Sequence, residues 1–288
     1  MTGHLQGARD RRVKLGDDAK ERSHLIGNRT KTSPEGGGMS VAGPYSTDFY
    51  EDQERGSLRS AEVVVPLVLS VFPARSVVDF GCGVGGWLRV FAEAGVADYL
   101  GLDGDYVPRD LLKIPADRFR AVDLTAVPDL DRRFDLACSL EVAEHLPSEK
   151  AENFVRALAT AAPVVLFSAA VPHQGGTSHI NEQWQSYWAE LFARHAYRAL
   201  DFIRPAIYRN PNVEWWYRQN MLVYCHESRI PAGMTAVTDA YELDRVDPDM
   251  IEVLVNPSSG REALQMMGRA LAEVRRASLR KLRVTGRP

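Results

Sequence analysis

Three groups of residues in this 288-residue chain have types and spacings that could do chemistry. The first is Asp79-Phe80-Gly81-Cys82-Gly83-Val84-Gly85-Gly86-Trp87, an acid followed by four glycines within six positions. The second is a pair of acids, Asp103 and Asp123 (the latter followed by Leu124), each closing a short apolar run. The third is Glu141-x-x-Glu144-His145, with His179 further along the chain. An aliphatic hydroxyl is a poor nucleophile until a base takes its proton or a metal acidifies it. Imidazole titrates near neutrality, so His145 and His179 are the candidate bases, with Glu144 beside them.

The first group reads as strand, tight turn and helix. Val77 and Val78 lead into the acid, the glycines suit a backbone that takes positive φ or approaches a ligand closely, and an amphipathic run follows. Trp87, Leu88, Phe91 and Ala92 share one helical face, and Gly95 ends it. Gly81, Gly83 and Gly86 match the G-x-G-x-x-G of dinucleotide sites. Asp79 opposes that match, because a carboxylate two residues ahead of the loop would repel a pyrophosphate. S-adenosylmethionine has no phosphate. It carries an ammonium and a sulfonium, and an acidic loop suits it better. Asp103 lies 22 positions after Gly81, at the end of Tyr99-Leu100-Gly101-Leu102, where an acid can accept ribose hydroxyls.

Asp79-Phe80-Gly81-Cys82-Gly83 resembles the first motif of class I S-adenosylmethionine-dependent methyltransferases. The segments at Asp103, Asp123-Leu124 and Glu141 follow in that family's order, and the similarity runs from about Tyr45 to Cys225. The resemblance implies S-adenosylmethionine as cofactor and S-adenosylhomocysteine as product. It implies cofactor contacts from Asp79, Gly81, Cys82, Gly83, Gly86, Trp87, Asp103, Asp123, Leu124 and Glu141. The acid at Asp123, or its neighbouring amide, would meet the adenine amino group. A helical lead-in near Tyr45, Phe49 and Tyr50 would close over the methionine end. Glu141-x-x-Glu144-His145 is also similar to the Glu-x-x-Glu-His of metal-dependent O-methyltransferases of small RNA and of the ubiquinone pathway. The RNA enzymes carry a second histidine where this chain has Leu146, and metal-free members carry Glu-x-x-Glu-His-Leu. The expectation is therefore no metal, the alternative being a divalent ion held by Glu141, Glu144, His145 and His179. The loop Gly175-Gly176-Thr177 with His179-Ile180-Asn181-Glu182-Gln183-Trp184 resembles bacterial methyltransferases of sugars and secondary metabolites. It implies natural-product chemistry on a small-molecule oxygen, with His179, His145 and Glu144 as the catalytic group. An RNA 2′-O-methyltransferase would call for a basic face, and a non-catalytic cofactor binder should have lost loop acids or glycines; the sequence shows neither feature.

Strands at about 77–80, 99–103, 120–124, 134–140 and 164–170 alternate with helical patterns, which predicts parallel strands with right-handed crossovers. Leu200–Ile203 and Met221–Tyr224 are expected to close the sheet as an antiparallel pair. The fold class is thus α/β, a Rossmann-like doubly wound sheet of seven strands. A helix through Ala61, Val64, Val65 and Val68 precedes it, with Pro66 expected to kink or split it. Ser148 is expected to cap the helix after the fourth strand. Residues 1–44 are polar and aperiodic and read as a disordered tail, with Met39 as a second candidate start. Residues 45–226 form the catalytic domain and 227–288 an extension. In that extension a helix over Arg261–Arg283 bears a stripe of Leu264, Met267, Leu271 and Val274, which could pair two copies. The formal net charge of −3 offers nothing to nucleic acid. Three cysteines without metal or disulfide spacing point to a reducing cytoplasm, and no apolar run is long enough for a membrane span.

Overall fold

The computed structural model describes residues 47–126 and 130–256, with the side chains of 47–54 left aside. The disordered tail, Tyr45 and the Arg261–Arg283 helix lie outside the described residues, as do the side chains of Phe49 and Tyr50. The strands are β1 (Ser76–Phe80), β2 (Asp98–Asp103), β3 (Phe119–Ala121), β4 (Leu136–Leu140), β5 (Val164–Ser168), β6 (Tyr197–Leu200) and β7 (Leu222–His226). They form one sheet in the order β3-β2-β1-β4-β5-β7-β6. The first five run parallel, and β7 runs against both of its neighbours. The order reverses between β1 and β4, and in such sheets a ligand binds outside the carboxyl ends of the strands at that point.

Neighbouring strand residues feed opposite faces, as the period of two requires. Val78, Phe80 and Phe167 pack with α3 (Ala151–Ala161) and α4 (Gln185–Ala193). Val77, Leu166 and Val223 pack on the other face with α1 (Thr47–Val71), α2 (Gly86–Glu93), α5 (Ile203–Ile207) and α6 (Trp215–Asn220). No helix among the described residues is long and apolar enough to cross a membrane.

Four local expectations are corrected. The helix α1 runs unbroken through Pro66, which therefore does not split it. Its buried stripe is Ala61, Val64, Val65 and Val68, whereas Pro66 and Glu62 are exposed. The hydrogen bond that Pro66 cannot donate would have gone to the carbonyl of Glu62, which water can satisfy instead. The third strand ends at Ala121 and not at Leu124, because Asp123 turns the chain: its carboxylate accepts the amide and hydroxyl of Thr125 at 2.8 and 2.7 Å. The sixth strand ends at Leu200, since Asp201 turns to pair with Arg204 one helical turn on. Finally, α3 starts at Ala151 after a 3-10 turn, with no side-chain cap from Ser148.

The chain does not leave the domain after β7. Arg204 is 3% exposed and holds both carboxylate oxygens of Asp201 at 2.8 Å while donating to the carbonyl of Leu243 at 2.7 Å. Ser186 bonds Asp244 through its amide and hydroxyl, and Arg218 pairs with Asp247, the N-cap of α7 (Pro248–Val255). Removing Arg204 would strand Asp201 in the interior, although Arg245 at 3.2 Å would compensate part of its charge. Arg204→Leu is expected to lower unfolding free energy by about 3 kcal/mol in urea denaturation. A loss under about 1 kcal/mol would mean that this pair is as dispensable as one in solvent.

Candidate active site

The glycine loop sits at the end of β1. Gly81 has φ +86°, and a Cβ there would lie 2.3 Å from the Val142 side chain, so no other residue fits. Gly83 has φ +54° with open space where its Cβ would be, and its amide donates to Asp103 at 2.7 Å. This bond ties the loop to the end of β2. Gly86 begins α2. Cys82 bonds the backbone of β2 through its amide, and its thiol packs over Gly101, where a Cβ would come within 2.6 Å of the sulfur. Burial, with the charges of Asp79 and Asp103, pushes that thiol far up. Cys82 can therefore serve a ligand only through its backbone. Trp87 is also spent inside the protein: its indole N–H donates to Ser57 at 2.8 Å, and its ring meets Tyr217 edge-on at 5.3 Å. It locks α1 and α6 over α2, and the cofactor contact expected of it has no free polar atom.

Asp79 and Asp103 end adjacent strands and are both buried. Burial, and secondarily the charge of Asp103, pushes Asp79 up to about 7. Asp103 accepts the amides of Gly83 and Gly104, both at 2.7 Å. Asp123 is exposed, and Thr125 holds its carboxyl below the usual carboxylate range; Leu124 follows it in the turn.

The third group is brought together by two loops. Glu144 and His145 lie on a 3-10 turn after β4, Ala143–His145. The loop after β5 is stapled to that turn, because the amides of Ile180 and Asn181 both donate to the carbonyl of Glu144, at 2.9 and 3.0 Å. His179 consequently meets His145 edge-on, with ring centroids 4.9 Å apart. Gly176 makes room, since a Cβ there would lie 2.3 Å from Nε2 of His179. His145 shares its Nδ1 with the carbonyl of Ser178 at 3.3 Å, and His179 shares its Nδ1 with Glu182 at 3.1 Å. A carbonyl and a carboxylate can only accept, so each Nδ1 carries a proton, and in the neutral ring Nε2 is then the atom that presents a lone pair. Nε2 of His179 stands 4.0 Å from Glu144, which is fully buried and has neither carboxylate oxygen in hydrogen-bonding geometry with a donor. One ligand atom each from Glu144, His145 and His179 lies within 4.8 Å of the others. Burial, then the charge of Glu141, raises Glu144 well above the usual range, and burial holds His145 below its ordinary value.

Glu141 does not join this cluster. Its backbone has φ +55°, and its carboxylate accepts Gln174 at 2.9 Å and Asn220 at 3.2 Å. Burial brings it to about 7. Of the four residues in the alternative metal set, Glu144, His145 and His179 lie together and Glu141 is set apart. Glu182, Gln174 and Asn220 were not legible as site residues. Glu182 alone left a trace, at three residues past His179.

A methyltransferase-domain family model matches residues 50–220 of this chain. The chain is a class I, S-adenosylmethionine-dependent methyltransferase. Among solved structures, the methyltransferase resembles the sugar N-methyltransferase KedS8 from Streptoalloteichus sp., at 18% identity over 69% of this chain and 99% of that one, with a TM-score of 0.50. DesVI of Streptomyces venezuelae shares 24% identity over 44% of this chain, with a TM-score of 0.37, and the match spans only 57% of DesVI. The methyltransferase domain of a bacterial Hen1, CtHen1-C, shares 20% over 59% of this chain and 98% of that one, with a TM-score of 0.45. At these identities the likenesses show the fold alone. No curated protein matches the chain.

The raised carboxyl of Asp79 gives the methyltransferase a pH signature. An ammonium pairs with the ionised form, which is scarce below about pH 7 in the free protein. Calorimetry should show S-adenosylhomocysteine binding strengthen by roughly tenfold between pH 5.5 and 7, then level off. Asp79→Asn should flatten the curve. Wild-type affinity that does not vary over that range would remove Asp79 from the ammonium site.

Proposed function

We propose that this methyltransferase transfers a methyl group to a hydroxyl of a small molecule, a sugar or other secondary metabolite, and that Glu144, His145 and His179 accept its proton. One observation carries the reading: ligand atoms of Glu144, His145 and His179 lie within 4.8 Å of one another, and among the described residues neither carboxylate oxygen of Glu144 has a hydrogen-bond partner in good geometry. Such a group is costly to bury unless something brings it a proton or a positive charge. An acceptor hydroxyl brings the first, and the sulfonium opposite it leaves an electrophilic methyl in line. Glu182 orients His179 so that Nε2 is the atom that takes the proton. Asp79, Asp103 and the glycine loop hold the cofactor on the β1–β2 side of the crevice, and the base cluster approaches from the β4–β5 side. The sugar class is supported by the name of KedS8, a sugar N-methyltransferase; an amine would need to lose a proton to the same group before attack.

The same three residues favour a second reading. Two imidazoles and a carboxylate suit a divalent ion, and a carboxylate on the outer nitrogen of one histidine is the usual support for such a ligand. Bound there, an ion would acidify the acceptor hydroxyl, and Glu144, His145 and His179 would hold it without Glu141.

Turnover of S-adenosylmethionine with a panel of sugar hydroxyl and amino acceptors tests both readings. His179→Ala and Glu144→Gln should each lower turnover by about 10²–10⁴-fold with affinity for S-adenosylhomocysteine unchanged. Turnover should survive chelator. Its loss with chelator and return with Mg²⁺ or Mn²⁺ would establish the metal reading, and full turnover by both variants would place the base elsewhere.

A further inference from the structure

The carboxylate of Asp103 is more heavily engaged than a ribose acceptor should be. Its Oδ2 accepts the amide of Gly83 at 2.7 Å, while Oδ1 accepts both the amide of Gly104 and the hydroxyl of Tyr106, each at 2.7 Å. A carboxylate oxygen has room for about two good donors. Oδ1 is therefore full and Oδ2 has one place left. A ribose offers two neighbouring hydroxyls, and an acid that receives both needs one more place than Asp103 provides.

Of the three donors, Tyr106 is the one side chain and the other two are backbone amides. The amides belong to the loop after β1 and to the turn after β2, and moving either would disturb the ends of two strands. Tyr106 is 62% exposed and reaches back from three residues along the chain. Its ring lies against Gly104, where an added Cβ would come within 2.1 Å of it. A glycine at this position gives the ring space to fold back over the chain.

We propose that Tyr106 competes with the ribose for Asp103 and sets the affinity for the nucleoside: a ribose hydroxyl displaces its phenol from Oδ1. The exchange replaces one hydrogen bond with another, so the second hydroxyl contributes little net affinity in the native chain. The inference rests on the reading of Asp103 as the ribose acceptor.

Calorimetry with S-adenosylhomocysteine and its 2′-deoxy and 3′-deoxy analogues tests it on three proteins. Tyr106→Phe removes the competitor and keeps the ring. It should bind S-adenosylhomocysteine about three- to tenfold more tightly than the native chain, the modest effect expected of one exposed hydrogen bond to a charge. The penalty for losing one of the two hydroxyls should also be larger in Tyr106→Phe, where no phenol refills the acceptor. Equal or weaker binding by a Tyr106→Phe protein that melts like the native one overturns the inference, because a phenol that merely braced the loop or bonded the ribose would give that result. Asp103→Ala separates this outcome from failure of the underlying reading. If it binds S-adenosylhomocysteine as the native chain does, Asp103 is not the ribose acceptor. If it binds at least tenfold more weakly while Tyr106→Phe is unchanged, only the role of Tyr106 falls.

Discussion

The bond from the Gly83 amide to the Asp103 carboxylate, at 2.7 Å, joins the two strand ends on which the cofactor side of this molecule depends. It requires a glycine loop that can take φ +54° at Gly83, and a β2 strand that delivers its last residue beside β1. Its cost is electrostatic. Two buried carboxyls end up on neighbouring strands, and Asp79 responds by holding its proton to about pH 7. A cation entering the crevice would relieve that cost, and the cofactor of this family brings two centres of positive charge. The glycines and acids thus act together: the loop turns tightly at the strand ends, and the acids place negative charge there.

The loops after β4 and β5 gather a second group of titratable side chains. Glu144 is buried with neither carboxylate oxygen in good hydrogen-bonding geometry to a donor among the described residues, and its own carbonyl anchors the loop that carries His179. That staple explains how a histidine 34 positions after His145 comes to stack edge-on against it. The Nδ1 atoms of both rings are already bonded, and Nε2 of His179 stands 4.0 Å from the Glu144 carboxyl. Such an arrangement stores an unmet demand for a proton or cation, which is what a hydroxyl acceptor can satisfy.

Most of the sheet could be read from the sequence, because its strands are apolar runs ending in acids and its helices carry clear stripes. The Asp79 loop and Asp103 were legible for the same reason: charge beside glycine has few structural uses. The errors fall where a side chain overrides the pattern. Asp123 and Asp201 each ended a strand early by bonding the chain just beyond, and Pro66 did not split its helix because its missing bond faces water. Trp87, expected to touch the cofactor, also braces α2 against α1 and α6. Glu182, Gln174 and Asn220 escaped notice because polar residues in loops carry no period. Their partners, His179 and Glu141, were visible, but the contacts between them depend on how the loops after β4 and β5 fold together.

The central claim is that cofactor and proton acceptors face each other across one crevice. A crystal structure of the protein with S-adenosylhomocysteine tests it most directly. The account predicts the amino-acid end beside Asp79 and the glycine loop, the ribose on Asp103, and the sulfur turned toward Glu144, His145 and His179. A sulfur facing away from that cluster, or a nucleoside seated anywhere other than on Asp103, would contradict it.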